Sequence, residues 1–110
     1  MMQRFSVYGT LQPGHVNAHL LEAIGGDWQA GSVTGLLSHD GWGATQGYPA
    51  LILAEHGTQV PGYIFSSEQL AEHWADLDAF EGDDYRRVAA TVRLDDQSEV
   101  EAYIYVLNQG

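Results

Sequence analysis

The chain has 110 residues, which is enough for one domain with one hydrophobic core and too few for two. Apolar residues make up 45% of the chain, a fraction typical of a folded protein, so we expect a single domain over residues 1–110. The net charge is −11, with four arginines and no lysine, so we expect neither a nucleic-acid partner nor a membrane surface as partner.

The missing cysteines exclude disulfides, thiolate metal sites and a cysteine nucleophile. No apolar run approaches the length of about 18 residues that a transmembrane helix requires. The N-terminus leads directly into a strand-like pattern, without the charged region and apolar block of a secretory signal. Together these features favour a cytoplasmic protein.

The chain opens with a predicted strand, a glycine-containing loop and a short helix. Residues 4–8 alternate between apolar and polar, and two glycines and a proline within residues 9–14 then indicate a shaped loop. Residues 16–24 carry apolar side chains at helical spacing and end at Gly25. This order can place backbone N–H groups around an anion, and an ordinary connection is the open alternative.

Strand-like patterns dominate the middle of the chain. Gly31 and Gly35 indicate bends, and Pro61 indicates an edge or a bulge. Segment 38–49 is long and glycine-rich for a connection, which favours a lid or a pocket rim. The three strands are predicted over residues 28–37, 50–54 and 59–65.

The next segment predicts a helix with one misplaced acid. Ser66 and Gln69 have the spacing of a capping box, and Gly82 marks the end. If the helical period holds, Glu81 projects onto the helix's apolar face. That face is formed by Leu70, Trp74, Leu77 and Phe80.

A carboxylate on an apolar face must find hydrogen-bond donors or hold a proton, because burying an unpaired charge costs several kcal/mol. Glu81 is therefore a candidate general acid and base. In the alternative interpretation the helix frays at Ala79, and Glu81 turns out to solvent.

Two clean strands complete the chain. Residues 85–94 and 99–107 alternate regularly and are joined by a polar turn over 95–98, which predicts an antiparallel pair. The whole pattern predicts an α+β fold, a small mixed β-barrel of about six strands with two or so flanking helices.

Other candidate groups are weaker. His15 and His19 are four apart and could share a helix face, but no third metal ligand accompanies them. The serines lack the context of an activated nucleophile. We therefore expect neither a metal nor another cofactor.

Several segments, taken together, resemble one family. Residues 7–11 read Val-Tyr-Gly-Thr-Leu, and residues 77–82 read Leu-Asp-Ala-Phe-Glu-Gly, followed by Tyr-Arg-Arg at 85–87. These segments are similar to the signatures of γ-glutamylcyclotransferase-like proteins, and most similar to the short γ-glutamylamine cyclotransferase branch. Further matching segments are residues 14–21, 47–51 and 60–65.

The resemblance implies a small mixed β-barrel and an enzyme that releases 5-oxoproline and a free amine from a γ-glutamyl amine or amide, without a cofactor. It implies that Glu81 is the catalytic acid and base, and that the partner is a small γ-glutamyl molecule. The residues implied to bind the substrate are Tyr8, Gly9, Thr10, Leu11 and Tyr85.

Two other functions stay open. The fold could bind a small molecule without turning it over, because one fold serves many functions. It could also be an acidic interaction domain, in which case Trp42 and Tyr48 of the 38–49 segment would form an exposed aromatic patch. The oligomeric state and the amine half of the substrate are not encoded in any motif we recognise.

Overall fold

The computed structural model describes residues 2–9, 11–15, 17–38 and 50–108. Within these ranges the chain forms six strands, two α-helices and one 3₁₀ turn. Their order along the chain is β1 (Gln3–Val7), α1 (His19–Ile24), β2 (Asp27–Ser38), β3 (Ala50–Leu53), β4 (Thr58–Ser67), the 3₁₀ turn (Leu70–Glu72), α2 (Trp74–Glu81), β5 (Tyr85–Leu94) and β6 (Glu99–Leu107).

Five strands close into a barrel in the order β2, β4, β1, β6, β5, and β5 returns to pair with β2. Only the pairing of β1 with β6 is parallel among the described strands. The ring closes where Gly31 of β2 meets Leu94 of β5. A Cβ at Gly31 would come within 2.9 Å of the Arg93 carbonyl oxygen, so glycine permits this close approach.

The predicted fold class, a small mixed barrel with flanking helices, is confirmed. β3 pairs with the end of β2 and extends the sheet beyond the closed ring. The first helix is shorter than the pattern indicated and begins at His19. Most of the 38–49 segment, residues 39–49, lies outside the described residues.

The helix predicted over residues 66–81 is broken into two parts. Leu70–Glu72 is the 3₁₀ turn, and α2 begins at Trp74 after His73, whose φ of −116° departs from helical geometry. The predicted cap, Ser66, lies in β4. Its neighbour Ser67 accepts a hydrogen bond from the Gln69 N–H at 3.1 Å, because β4 runs two residues further than the pattern indicated.

Alternate strand positions divide the core into two clusters. The inner cluster fills the barrel and is aliphatic. The outer cluster lies between the barrel wall and the helices and contains aromatic residues. The inner cluster comprises Val33, Leu51, Val60, Ile64, Val92, Ala102, Ile104 and Val106. The outer cluster comprises Phe5, Val7, Leu11, Leu21, Phe65, Leu70, Trp74, Leu77 and Tyr105.

Candidate functional site

Glu81 is the last residue of α2, so the helix does not fray at Ala79. Gly82 then leaves the helix with a φ of 80°, a conformation that glycine adopts without strain, and its N–H donates to the Asp78 carbonyl at 3.0 Å. Glu81 is partly buried, and burial raises the pKa of its carboxyl to about 7. At neutral pH this carboxyl is therefore poised between its two protonation states.

The Tyr8 hydroxyl connects three strands at one end of the barrel. It donates to the Tyr105 carbonyl of β6 at 2.7 Å and accepts from the Leu51 N–H of β3 at 2.9 Å. Burial raises the pKa of Tyr8, the Leu51 hydrogen bond opposes this, and the charges of Glu81 and Tyr85 raise the pKa further. Glu81 and Tyr85 are thus within electrostatic reach of this hydroxyl.

The loop after β1 is closed by its own hydrogen bonds. The Gly9 carbonyl accepts from the Gln12 N–H at 3.2 Å and from the Gln12 side-chain amide at 3.1 Å. The Leu11 side chain is buried in the outer cluster. Thr10 lies outside the described residues. The predicted role of these backbone N–H groups in binding substrate stays a prediction.

A glycine on the neighbouring strand permits the approach of this loop. A Cβ at Gly62 of β4 would collide with the Val7 carbonyl oxygen and come within 3.3 Å of the Tyr8 Cα. The sequence pattern indicates no role for Gly62 beyond its place in a matching segment, because a close backbone contact becomes visible only when strands are paired.

Tyr85 begins β5, directly after the turn that follows Glu81, and it packs against the outer cluster. The structure therefore brings Tyr8, Glu81 and Tyr85 to the same end of the barrel. These three were predicted as site residues from separate parts of the chain. Gly9 and Leu11 follow Tyr8 on the same loop.

Three residues that sequence analysis missed lie next to this group. The Tyr105 hydroxyl donates to Asp78 Oδ1 at 2.5 Å, and the Arg87 Nε lies 3.2 Å from the same oxygen. The Arg87 guanidinium also lies 4.5 Å from the centre of the Trp74 ring. Asp78 and Arg87 belong to the two motifs, at 77–82 and 85–87, that resemble the family. Their position close to Glu81 in sequence could have identified them as site residues.

Among the described residues, no three His, Cys, Asp or Glu side chains lie close enough together to hold a metal ion. His15 precedes α1, and His19 is exposed at its first position, so the proposed shared helix face is not formed. In the described parts of the chain, no helix is long and apolar enough to cross a membrane.

The fold is a closed mixed barrel, and its candidate site combines a partly buried carboxylate, Glu81, with Tyr8 at one end of the barrel. The chain belongs to the family described as gamma-glutamyl cyclotransferase, AIG2-like, whose model matches residues 5–110. No curated protein sequence matches the chain.

Solved structures share the fold. YkqA from Bacillus subtilis superposes with a TM-score of 0.74 at 25% identity, covering 98% of this chain and 36% of YkqA, so the chain spans about a third of that protein. An AIG2-like protein from Mus musculus gives a TM-score of 0.72 at 23% identity, covering 99% of this chain and 79% of the mouse chain. A structure titled gamma-glutamyl cyclotransferase gives 0.65 at 11% identity, covering 98% and 68%.

Proposed function

We propose that the protein is a γ-glutamylcyclotransferase-type enzyme that releases 5-oxoproline and a free amine from a γ-glutamyl amine or amide. The observation that supports this best is that Glu81 is partly buried at the same end of the barrel as Tyr8. Burial raises the pKa of its carboxyl to about 7. Family membership supports the same reaction class.

The chemistry needs one group that takes a proton and returns it. The α-ammonium of the substrate transfers a proton to the Glu81 carboxylate, and the free amine attacks the γ-carbonyl of the same molecule. A C–N bond forms and the five-membered ring closes. The bond to the leaving amine breaks as Glu81 gives its proton to that nitrogen, and the second proton lost by the attacking nitrogen leaves with the amine, which departs as an ammonium ion. Both reacting groups belong to one molecule, so holding its bent conformation provides much of the rate enhancement.

The substrate carboxylate needs a partner of opposite polarity in a chain without lysine. Arg87 pairs with Asp78 at 3.2 Å. Arg93 pairs with Glu99 at 3.6 Å. We assign the substrate carboxylate to the backbone N–H groups of the loop that contains Gly9, with Tyr85 beside it, because amides can bind anions without a formal charge.

The test is an assay of purified protein with a panel of γ-glutamyl amides, following 5-oxoproline and the released amine together. We expect stoichiometric release of both, and a fall of about a hundredfold or more in Glu81→Gln. An N-acetylated γ-glutamyl amide is the matched control substrate, because its blocked α-amine cannot close the ring. Release of glutamate in place of 5-oxoproline would indicate a hydrolase, and binding without release would indicate a binding module.

A further inference from the structure

Tyr105 is connected at both its backbone and its side chain. Its carbonyl accepts the Tyr8 hydroxyl at 2.7 Å, and its own hydroxyl donates to Asp78 Oδ1 at 2.5 Å. The ring is almost fully buried, with 3% exposure, and meets the Phe5 ring edge to face at 5.4 Å. One residue of β6 therefore links the strand end that bears Tyr8 to α2.

Asp78 fixes the last turn of α2 by two kinds of contact. Its side chain accepts from Tyr105 and pairs with Arg87 at 3.2 Å. Its carbonyl accepts the Gly82 N–H at 3.0 Å, which ends the helix one residue after Glu81. Asp78 thus attaches the turn that carries Glu81 to β5 and β6.

Packing alone does not require this hydroxyl. A phenylalanine at Tyr105 would keep the edge-to-face contact with Phe5 and the burial of the ring. The hydroxyl adds a directional contact. Its hydrogen bond of 2.5 Å to the carboxylate restricts the orientation of the Asp78 side chain more than apolar contact does.

We propose that Tyr105 is a positioning residue that holds Tyr8 and the last turn of α2, and with it Glu81, in one fixed arrangement, using Asp78 as its acceptor. The inference rests on the proposed function in taking Glu81 as the reacting group. Tyr105 itself does not need to touch the substrate in order to act in this way.

Charged groups lie on two elements at the end of α2, Asp78 on the helix and Arg87 on β5. The Arg87 cation offsets the Asp78 charge one turn away, so the end of α2 does not present two uncompensated acids. Loss of the Tyr105 contact would loosen the last turn and admit water to the Glu81 carboxyl, which lowers its pKa towards the ordinary value. The titratable and charged groups near the end of α2 are Tyr8 after β1, Asp78 of α2, Tyr85 and Arg87 of β5, and Tyr105 of β6, with Asp83 and Asp84 next to Glu81 in sequence.

The experiment follows the Glu81 carboxyl by ¹³C NMR titration and measures kcat and KM for 5-oxoproline release in the same variants. In Tyr105→Phe we expect the Glu81 pKa to fall by at least about half a unit and kcat to fall about tenfold, with KM within about twofold of wild type. Asp78→Ala should behave similarly.

Asp78→Asn provides the matched comparison. It removes the same charge as Asp78→Ala but keeps an oxygen that accepts from Tyr105, so we expect its kcat to stay within about threefold of wild type. Glu99→Gln removes the acid of the exposed Arg93 pair on the same two strands and should leave both readouts unchanged.

The titration does not depend on turnover, which separates this inference from the proposed function. If the wild type released no 5-oxoproline, the proposed function would fail, while a lowered Glu81 pKa in Tyr105→Phe would still support the positioning role. If Tyr105→Phe keeps both the Glu81 pKa and kcat, the inference is wrong, whatever its melting temperature. If Asp78→Ala does not fold, Tyr105→Phe and Asp78→Asn still decide the question.

Discussion

The inner and outer clusters differ in side-chain composition. The inner cluster is entirely aliphatic, and its members alternate along the strands. The outer cluster contains Phe5, Trp74 and Tyr105, and two of these side chains also make hydrogen bonds to polar groups. The aliphatic interior stabilises the barrel by the burial of apolar surface, which is not directional. The hydrogen bonds of the outer layer are directional and fix the orientation of one helix relative to the strands.

This difference separates stability from site geometry. A change inside the barrel should reduce stability and leave the folded fraction working normally. A polar change at Asp78 or its partners in the outer layer should move the properties of Glu81, because Asp78 attaches the last turn of α2 to the barrel. Substitutions in the two layers should therefore change different properties.

The largest stability loss is expected inside the barrel. Ile104 of β6 is fully buried, so Ile104→Ala removes buried methyl groups and leaves a cavity, at a cost of about 2–5 kcal/mol. Urea unfolding gives the stability, and KM measured on the folded fraction should match wild type. If KM changed while stability did not, the inner cluster would not act on stability alone, and the proposed difference between the two layers would be wrong.

Glu81→Gln should raise stability while it lowers turnover about a hundredfold or more. The pKa of Glu81 is raised to about 7 from an ordinary 4.5, so below pH 4.5 the group is protonated in both the folded and unfolded states. Between these values the unfolded chain releases the proton and the folded chain holds it, so wild-type stability falls as pH rises, and above about pH 7 the penalty is constant.

The glutamine variant does not have this penalty. At pH 8 it should exceed wild type in stability by up to about 3 kcal/mol, less the screening that water gives a partly exposed group, and the gap should close below pH 4.5. Urea unfolding across pH 4–8 measures it, with the exposed Glu99→Gln as the control that shows no such trend. A pH-independent gap would mean that burial does not raise the pKa of Glu81.

The strands of the barrel could be predicted because alternation is a local signal. β5 and β6 have the bounds that the pattern gave, and Glu81 was found because a carboxylate on an apolar helical face contradicts its surroundings. The start of α2 was not predicted. Leu70 and Trp74 are buried on either side of the break at His73, so the apolar spacing is the same as in a continuous helix.

Tyr105 was missed for a physical reason. Its neighbours Ile104 and Val106 face the barrel interior, so alternation places Tyr105 on the outer face of the strand. A tyrosine on an outer face does not by itself indicate a functional role. It becomes buried only because α2 covers that part of the wall, and this packing depends on residues far apart in sequence. Close backbone approaches such as that at Gly62 were missed for the same reason.

The loop after β1 tests the binding half of the site. If its N–H groups hold the substrate carboxylate, Gly9→Val should raise KM on the order of tenfold, because a branched side chain occupies the position of the anion. The melting temperature should stay near that of wild type. Gly9→Ala adds only a Cβ and should give a smaller rise in KM. Unfolding without a selective rise in KM would make the loop a simple turn.

The smallest effect is expected at the other end of α2. The Gln3 side-chain oxygen accepts from the Trp74 indole N–H at 2.5 Å, which attaches the start of the helix to β1. Gln3 is partly exposed, so water can replace its amide, and Gln3→Ala should cost about 1 kcal/mol in urea unfolding. Gln3→Glu keeps the acceptor and should recover most of that loss. Because this contact lies at Trp74 and Glu81 is at the opposite end, the pKa of Glu81 should remain about 7 in both variants. If Gln3→Ala shifts that pKa as far as Tyr105→Phe does, then α2 responds as one rigid unit, and its last turn is not fixed separately by Asp78.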